Sequence, residues 1–253
     1  MTTSSHQKLT AAAVIPVRWA SSRLPGKPLL SQTGKPLIQH VWERVCRADR
    51  LDEILIATDD ERIQQAVEGF GGRCVMTRDD HPSGTDRVAE VAAGLKADVI
   101  INVQGDEPEV DPHDLDRLIE RLEANGEDIA TLARPLRAEE SSLLLDPHAV
   151  KAVFTHQGRA LYFSRSPIPH GDDPDGAWLH LGVYAFRRKA LLAFAAAQPT
   201  ALEKRESLEQ LRALDLGQTI GVVLTENDAL GIDTADDYAR FVQHCAEPGA
   251  TSS

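Results

Sequence analysis

The first half of the chain alternates two patterns of apolar residues. Short, nearly continuous apolar runs are typical of strands covered on both faces of a sheet, and we predict strands at residues 11–17, 53–58, 74–77 and 98–104. Between them apolar residues recur at helical spacing, which predicts helices at residues 36–47, 60–70, 85–96 and 111–125. The alternation predicts an α/β fold with a doubly wound, mostly parallel sheet.

The last of these helices has clear end signals. Asp111 is a suitable N-cap, Pro112 suits the first helical position, and Gly126 suits the residue that ends a helix. Ligands of doubly wound sheets bind beyond the carboxyl ends of the strands, so the residues that follow each strand are the candidates for chemistry.

The second half is richer in strands. Its apolar runs predict strands at residues 129–136, 149–154, 160–165, 180–186 and 219–225, and helices at 188–197, 201–215 and 234–246. The helix 201–215 is predicted to bury a stripe made by Leu202, Leu208, Leu211 and Leu214. We interpret residues 148–218 as an insertion folded onto the main sheet within one domain, 11–247, flanked by flexible tails at 1–10 and 248–253.

Composition narrows the class of protein. The 253 residues include 39 Asp+Glu and 27 Lys+Arg, and the net charge of −12 argues against general nucleic-acid binding. No apolar run reaches the roughly 20 residues of a membrane span, and the first residues do not predict a signal peptide. Three scattered cysteines are typical of reduced thiols, so we expect a cytoplasmic protein without a membrane partner.

The loop after the first strand gathers positive charge. Arg18, Arg23 and Lys27 lie in a stretch with no acidic residue before Glu43. A strand–loop–helix junction favours anions, and Gly26 allows close approach of the backbone to a ligand. Neither a Walker loop nor a G-x-G-x-x-G pattern is present. The cluster indicates a polyphosphate site; the alternative is a set of ordinary surface ion pairs.

Two aspartates are candidate ligands for a hard cation. Asp106 follows the strand 98–104, and Asp233 stands where another strand gives way to a helix. Mg²⁺ prefers one or two carboxylates together with substrate phosphates, which requires Asp106 and Asp233 to converge. Alternatively, Asp233 or Thr234 only caps the following helix.

A third candidate is the turn at residues 81–87. Its small residues, Ser83 and Gly84, suit backbone contacts to a base or sugar. The alternative is a simple helix start, capped by Ser83 or Thr85. By composition alone, His180, Glu209 and Gln210 would be structural or solvated residues.

These motifs, in this order, resemble the CMP-KDO synthetase family, the cytidylyltransferases that activate 3-deoxy-manno-octulosonate (KDO). The resemblance rests on "IPVRWASSRLPGKPL", "ATDDERI", "SGTDRVAEV", "INVQGDEP", "ALYFSRSPIP", "HLGVYAFRR", "LEKRESLEQLR" and "GIDTADDY", which span nearly the whole chain. It implies a nucleotide-diphospho-sugar-transferase-like fold, a dimerisation and acceptor-binding insertion, a homodimer, CTP and a small acidic acceptor as partners, and Mg²⁺ as cofactor.

The resemblance also implies roles for individual residues. The group expected to bind the nucleotide is Arg18, Ser21, Ser22, Arg23, Lys27, Ser83, Gly84 and Gln104, with Arg18, Arg23, Lys27 and Asp106 catalytic. Asp106 and Asp233 are expected to hold the metal. The group expected to face the acceptor is Arg87, Gln104, His180, Glu209 and Gln210. The implied reaction joins the anomeric hydroxyl of the acceptor to the α-phosphate of CTP and releases pyrophosphate.

Three positions depart from the family pattern: Trp19, Arg134 and His148. An added arginine and a bulkier aromatic are compatible with a more anionic acceptor. Two alternatives to KDO activation therefore stay open, CMP transfer to a phosphonate such as phosphonoformate and a non-catalytic nucleotide-binding relative.

Overall fold

The fold is taken from a computed structural model of the chain, in which residues 8–20, 24–228 and 231–247 are described. Across these residues the strands form one sheet with the order β3-β2-β1-β4-β8-β5-β9, and β6 and β7 form a hairpin attached to β8. The strands are β1 Ala11–Pro16, β2 Glu53–Thr58, β3 Cys74–Met76, β4 Val99–Asn102, β5 Ile129–Pro135, β6 Lys151–Phe154, β7 Ala160–Ser164, β8 Trp178–Arg187 and β9 Ile220–Leu224.

Helices cover both faces of the sheet, as a doubly wound fold requires. They are α1 Leu37–Val45, α2 Glu61–Gly69, α3 Gly84–Ala93, α4 Pro112–Asn125, α5 Ser142–Leu145, α6 Arg188–Ala196, α7 Ala201–Glu206, α8 Gln210–Asp215 and α9 Ala235–Ala246. One core packs α1, α2 and α4 against the sheet, and the other packs α3, α6 and α8 against the opposite face. β1 divides its side chains between the two cores, which explains its continuous apolar sequence.

The predicted α/β fold with a mostly parallel sheet is confirmed. β1 pairs in parallel with β2 and β4, β2 with β3, and β5 with β9. β8 runs antiparallel between β4 and β5. The region predicted as an insertion, 148–218, thus contributes a strand to the middle of the sheet as well as the peripheral β6–β7 hairpin, so only part of it is an addition to the main sheet.

An irregularity in β8 shapes one face of the sheet. Thr131 pairs with Tyr184, whereas the next residue of β5, Leu132, pairs with Leu181, so β8 bulges between them. The Thr131 hydroxyl fills the bulge, with Oγ1 at 2.9 Å from the Val183 carbonyl oxygen and 3.2 Å from that of Leu181. Such bulges re-aim the side chains of a strand. This bulge lies just beyond the carboxyl end of β4, whose last residue, Asn102, pairs with Tyr184.

The prediction of one helix over 201–215 is wrong. The segment forms two short helices, α7 and α8, because Ser207 takes a left-handed conformation with φ of 54° and ends α7. Leu208 and Leu211 are buried as predicted, whereas Leu202 is 41% exposed and leaves the apolar stripe. The break places Glu209 and Gln210 at the start of α8.

The N-terminal tail is shorter than predicted. Residues 8–10 are attached to the domain: the Leu9 amide donates to Glu123 Oε1 at 2.8 Å, and the Thr10 hydroxyl donates to Asp98 Oδ2 at 2.9 Å. The rest of that predicted tail, and the tail 248–253, lie outside the described residues. None of the helices described has the length and apolar character to cross a membrane.

Candidate active site

A cleft of about 650 Å³ opens where β1, β4 and the segment before α9 end at one edge of the sheet. Its walls include five residues of the predicted nucleotide group, Arg18, Lys27, Ser83, Gly84 and Gln104. They also include both residues of the predicted metal group, Asp106 and Asp233, and Arg87 of the predicted acceptor group. The chain order of the elements explains this convergence, because parallel strands bring their carboxyl ends to the same edge.

At the floor of the cleft, Lys27 from the loop after β1 contacts both the loop after β4 and the segment before α9. Its ammonium donates to Asp106 Oδ2 at 2.6 Å and to the carbonyl oxygen of Ile232 at 2.8 Å, and it lies 3.6 Å from Asp233 Oδ1. The Ile232 amide in turn donates to the Asp106 carbonyl oxygen at 2.8 Å. The two aspartates are therefore fixed around one cation, as the sequence interpretation required.

Two glycines make this close approach possible. At Gly105 a β-carbon would lie 2.7 Å from Val17 Cγ2, so a side chain there would push the Asp106 loop away from the end of β1. Gly26 has a φ of 68° and precedes the 3₁₀ turn Lys27–Leu29, and a β-carbon there would meet the Trp19 ring at 3.1 Å. Glycine at both positions therefore lets Lys27 and Asp106 meet.

The residue that caps α9 is Thr234 and not Asp233. Thr234 is the N-cap: its hydroxyl accepts from the Asp237 amide, and Asp237 bonds back to the Thr234 amide. Asp233 precedes the cap, and its carboxylate faces Lys27.

The opposite wall of the cleft begins at α3. Ser83 caps this helix, with Oγ accepting from the Asp86 amide and donating to Asp86 Oδ2 at 2.8 Å. Ser83 therefore caps the helix, as the alternative reading of this turn predicted, and it also lines the cleft. Gln104 donates through Nε2 to Asn102 Oδ1 at 3.1 Å, which leaves its Oε1 beside Gly84.

A second group of side chains, which includes His180 and Tyr184, lies on one face of β8. The His180 and Tyr184 rings are 5.4 Å apart, and His180 also contacts the Phe163 ring. His180 Nε2 is 3.0 Å from Thr131 Oγ1. Since that hydroxyl uses its hydrogen on the carbonyl oxygens of the bulge, Nε2 carries the donated proton and Nδ1 is the acceptor. Burial lowers the pKa of His180 to about 3, so the imidazole is neutral at pH 7.

Tyr184 lies between two carboxylates from different elements. Burial, the Glu209 carboxylate and the Glu107 carboxylate together raise the pKa of the Tyr184 phenol well above its ordinary value. Burial and the adjacent Asp106 carboxylate raise the pKa of Glu107 to about 8. Gln210 is 7% exposed at the start of α8. His180 and Glu209, which are distant in sequence from the cationic loop, thus both lie near Tyr184.

Comparisons with known proteins agree with this arrangement. The cytidylyltransferase family model matches residues 12–220. The chain belongs to the cytidylyltransferase family. The resemblance recognised in the sequence is therefore confirmed.

Relatives within the family span nearly the full length of the chain. A 3-deoxy-manno-octulosonate cytidylyltransferase of Pelobacter propionicus is 50% identical over 246 residues, covering 92% of this chain and 96% of that protein. The protein of the same name from Geobacter sulfurreducens is 45% identical, covering 93% and 99%. The solved structure of a CMP:2-keto-3-deoxy-manno-octonic acid synthetase complexed with CTP is 42% identical, with a TM-score of 0.87 and coverage of 92% and 97%.

More distant cytidylyltransferases share the fold alone. A 4-diphosphocytidyl-2C-methyl-D-erythritol synthase from Anaerococcus prevotii has a TM-score of 0.65 at 15% identity, covering 95% of this chain and 97% of that one.

Ser21, Ser22 and Arg23 lie outside the described residues. Arg87 is 4% exposed, and its guanidinium contacts the Thr77 hydroxyl and donates to Asp59 Oδ2 at 2.8 Å. These contacts join α3 to the ends of β2 and β3, while Arg87 also lines the cleft, so its contact with the acceptor stays a prediction.

The three departures from the family pattern also have structural roles. Arg134 is buried and pairs with Glu140 at 2.7 Å and with Asp228 at 3.0 Å. Trp19 lies under the Arg62 guanidinium, whose central carbon is 3.6 Å from the ring centroid. His148 is exposed, and its amide donates to Asp146. Arg134 and Trp19 thus have contacts within the protein, and the link from them to a more anionic acceptor stays a prediction.

Sequence reasoning missed Glu107, Tyr184 and the Ile232 carbonyl. Glu107 directly follows Asp106 after a buried strand, and this second carboxylate is a usable sequence signal. Tyr184 and His180 are four residues apart in one strand and share a face by alternation. The Ile232 contact is made by backbone, for which the sequence carries no residue-specific signal.

Proposed function

We propose that the chain transfers CMP from CTP to the anomeric hydroxyl of KDO and releases pyrophosphate. The observation that supports this most strongly is the joining of Asp106 and Asp233 around Lys27, in a cleft that adjoins the polar cluster on β8. Family membership and the 50% and 45% identical relatives named as 3-deoxy-manno-octulosonate cytidylyltransferases support the same reaction.

The reaction needs charge neutralisation and alignment more than covalent catalysis. A bond forms between the acceptor oxygen and the α-phosphorus, the bond from that phosphorus to the pyrophosphate oxygen breaks, and the hydroxyl loses its proton. Lys27 and the exposed Arg18 supply positive charge for the triphosphate and for the negative charge that develops on pyrophosphate. The amino-terminal end of α3, at Ser83 and Gly84, lies in the same cleft and favours an anionic or polar nucleotide group.

The β8 cluster orients the acceptor. The bonding at Thr131 makes His180 Nδ1 an acceptor, and the low pKa of the ring keeps it so at neutral pH. Nδ1 can therefore accept a hydrogen bond from a hydroxyl of the sugar acid. Gln210 and Glu209, at the start of α8 after the break at Ser207, are the residues that we propose for the rest of the acceptor contacts.

The two aspartates fit Mg²⁺. Both carboxylates lie within 3.6 Å of the same ammonium group, so they already share one cation, and two carboxylates with substrate phosphates are the usual donors for this metal. When bound, Mg²⁺ would neutralise phosphate charge and make the acceptor hydroxyl more acidic.

The assay is release of pyrophosphate from CTP and Mg²⁺ with either KDO or phosphonoformate. We expect turnover with KDO and none above background with phosphonoformate, because the relatives that span nearly the full chain are named as KDO cytidylyltransferases. Turnover with phosphonoformate alone would refute KDO as the acceptor. Binding of CTP without turnover of either acceptor would identify a non-catalytic nucleotide-binding relative.

The homodimer is also a proposal. It is supported by the resemblance of the sequence motifs to the CMP-KDO synthetase family; within residues 148–218, Leu161, Leu202 and Leu216 are 59%, 41% and 45% exposed. Sedimentation equilibrium is expected to give twice the chain mass of 27.6 kDa, and a monomer at micromolar concentration would contradict it. The cytoplasmic location stays a prediction.

A further inference from the structure

Trp19, one of the three departures from the family pattern, lies next to the wall of the cleft that carries the cations. Its neighbours in the chain, Arg18 and Ala20, line the cleft, and so do Lys27 and Pro28. Trp19 itself is half-buried and packs against the core that includes α1, α2 and α4. Its side chain can therefore act on the cationic loop from the protein side of that wall.

One edge of the Trp19 ring contacts the turn that carries Lys27. A β-carbon at Gly26 would lie 3.1 Å from Cη2 and 3.3 Å from Cζ2 of Trp19, and both atoms belong to the outer ring of the indole. Gly26 has a φ of 68° and directly precedes the 3₁₀ turn Lys27–Leu29. Phenylalanine lacks this outer ring, so it would leave a gap beside Gly26 and lose these contacts.

The face of the same ring carries a fixed guanidinium. The central carbon of Arg62, in the first turn of α2, is 3.6 Å from the Trp19 ring centroid. The Arg62 guanidinium donates twice to the Asp60 carboxylate, at 3.0 Å and 2.6 Å, and that carboxylate also caps α2 by accepting from the Arg62 amide. A cation over an indole face is a favourable contact, so the ring connects α2 to the turn at Lys27.

We propose that Trp19 is a positioning residue, which holds the turn at Gly26 so that Lys27 is already in place for the triphosphate. A small misplacement of a group that aligns a substrate lowers the rate strongly, so a rigid support for Lys27 has a direct use. The inference rests on the proposed function, since it requires the triphosphate to bind at Lys27. If Trp19 contributed only to stability, its replacement would lower the melting temperature and leave the affinity for CTP unchanged.

The test measures binding of CTP and of CMP by isothermal titration calorimetry, with Mg²⁺ and without acceptor. CMP lacks the phosphates assigned to Lys27, so we expect Trp19→Phe to weaken CTP binding about 10-fold and CMP binding less than about twofold. Arg62→Met is expected to weaken CTP binding about 3-fold in the wild type. In a Trp19→Ala background the same change is expected to have almost no effect, because Arg62 acts through the ring.

Trp42→Phe is the matched control. Trp42 packs against the same core, with its ring 5.2 Å from that of Phe70, and this variant is expected to lose stability and keep wild-type affinity for CTP. Unchanged CTP binding by a folded Trp19→Phe would overturn the inference, and so would equal losses for CTP and CMP or an equal loss in Trp42→Phe. Wild-type protein that binds CTP but does not turn over KDO would instead refute the proposed function.

Discussion

Replacing Lys27 with methionine removes the charge that holds the cleft together while keeping most of the side-chain volume. The ammonium is bonded to Asp106 and Ile232 and lies near Asp233, and the Lys27 and Asp106 side chains are 13% and 29% exposed. Hydrogen bonds to charged groups are worth about 1.5–3 kcal/mol each, and partial exposure screens them, so we expect the free energy of unfolding to fall by about 2 kcal/mol.

The effect on catalysis is expected to be larger than the effect on stability. Loss of one preorganised positive donor at developing charge lowers kcat by about 10²- to 10³-fold. Because Lys27 also contacts the resting triphosphate in the proposed complex, the KM for CTP is expected to rise. Pyrophosphate release measured over a range of CTP concentrations separates the two effects, and urea denaturation gives the stability.

Lys35→Met is the matched control. Lys35 is 46% exposed and pairs with Glu43 at 2.8 Å, away from the cleft described above. Exposed pairs contribute about 0–1 kcal/mol, so this variant is expected to keep wild-type kinetics and nearly wild-type stability. If a folded Lys27→Met enzyme kept kcat/KM for CTP within threefold of the wild type, the placement of the triphosphate at Lys27 would be refuted.

Three further variants test separate parts of the structure. Asp106→Asn is expected to lose turnover by at least 10²-fold with its fold retained by circular dichroism, since it removes a charge that faces Lys27; wild-type kinetics would exclude a metal role. The His180 pKa of about 3 lies below the unfolded value of 6.5, so its contribution to stability is complete above pH 6.5 and is lost as pH falls. From pH 7 to 5.5 the wild type should therefore lose about 1 kcal/mol more than His180→Gln, and equal losses in urea titrations would contradict the buried neutral imidazole. Ser207→Gly is expected to stabilise the enzyme by about 0.5–1 kcal/mol, because Ser207 has a φ of 54°, and a lower melting temperature would show that the turn does not form.

Much of the fold follows from local chemistry. The strand predicted at 53–58 is found over the same residues, and α4 is bounded by Asp111 and Gly126 as its end signals indicate. Buried parallel strands and capped helices are set by residues close in sequence, which explains why these elements were predictable.

Long-range features were less predictable. The antiparallel insertion of β8 between β4 and β5 depends on pairing between distant segments, and apolar pattern alone does not encode neighbour order. The break at Ser207 lacks a glycine or proline signal, so a continuous helix was the natural expectation.

Some residues of the candidate site were likewise predictable from the sequence and others were not. Asp106, Asp233 and Lys27 were predicted to meet because strand ends converge, and they do. Arg87 and Arg134 could not be assigned from sequence, since a buried arginine paired with Asp59 or Glu140 has the same local pattern as one that faces a ligand.

The most direct test of the proposed triphosphate site is a crystal structure with CTP and Mn²⁺ in place of Mg²⁺, analysed by anomalous scattering. We expect one manganese peak or more bounded by the carboxylates of Asp106 and Asp233, with triphosphate oxygens completing the coordination and Lys27 displaced onto the phosphates. A nucleotide bound elsewhere, or manganese absent from these two carboxylates, would contradict the account.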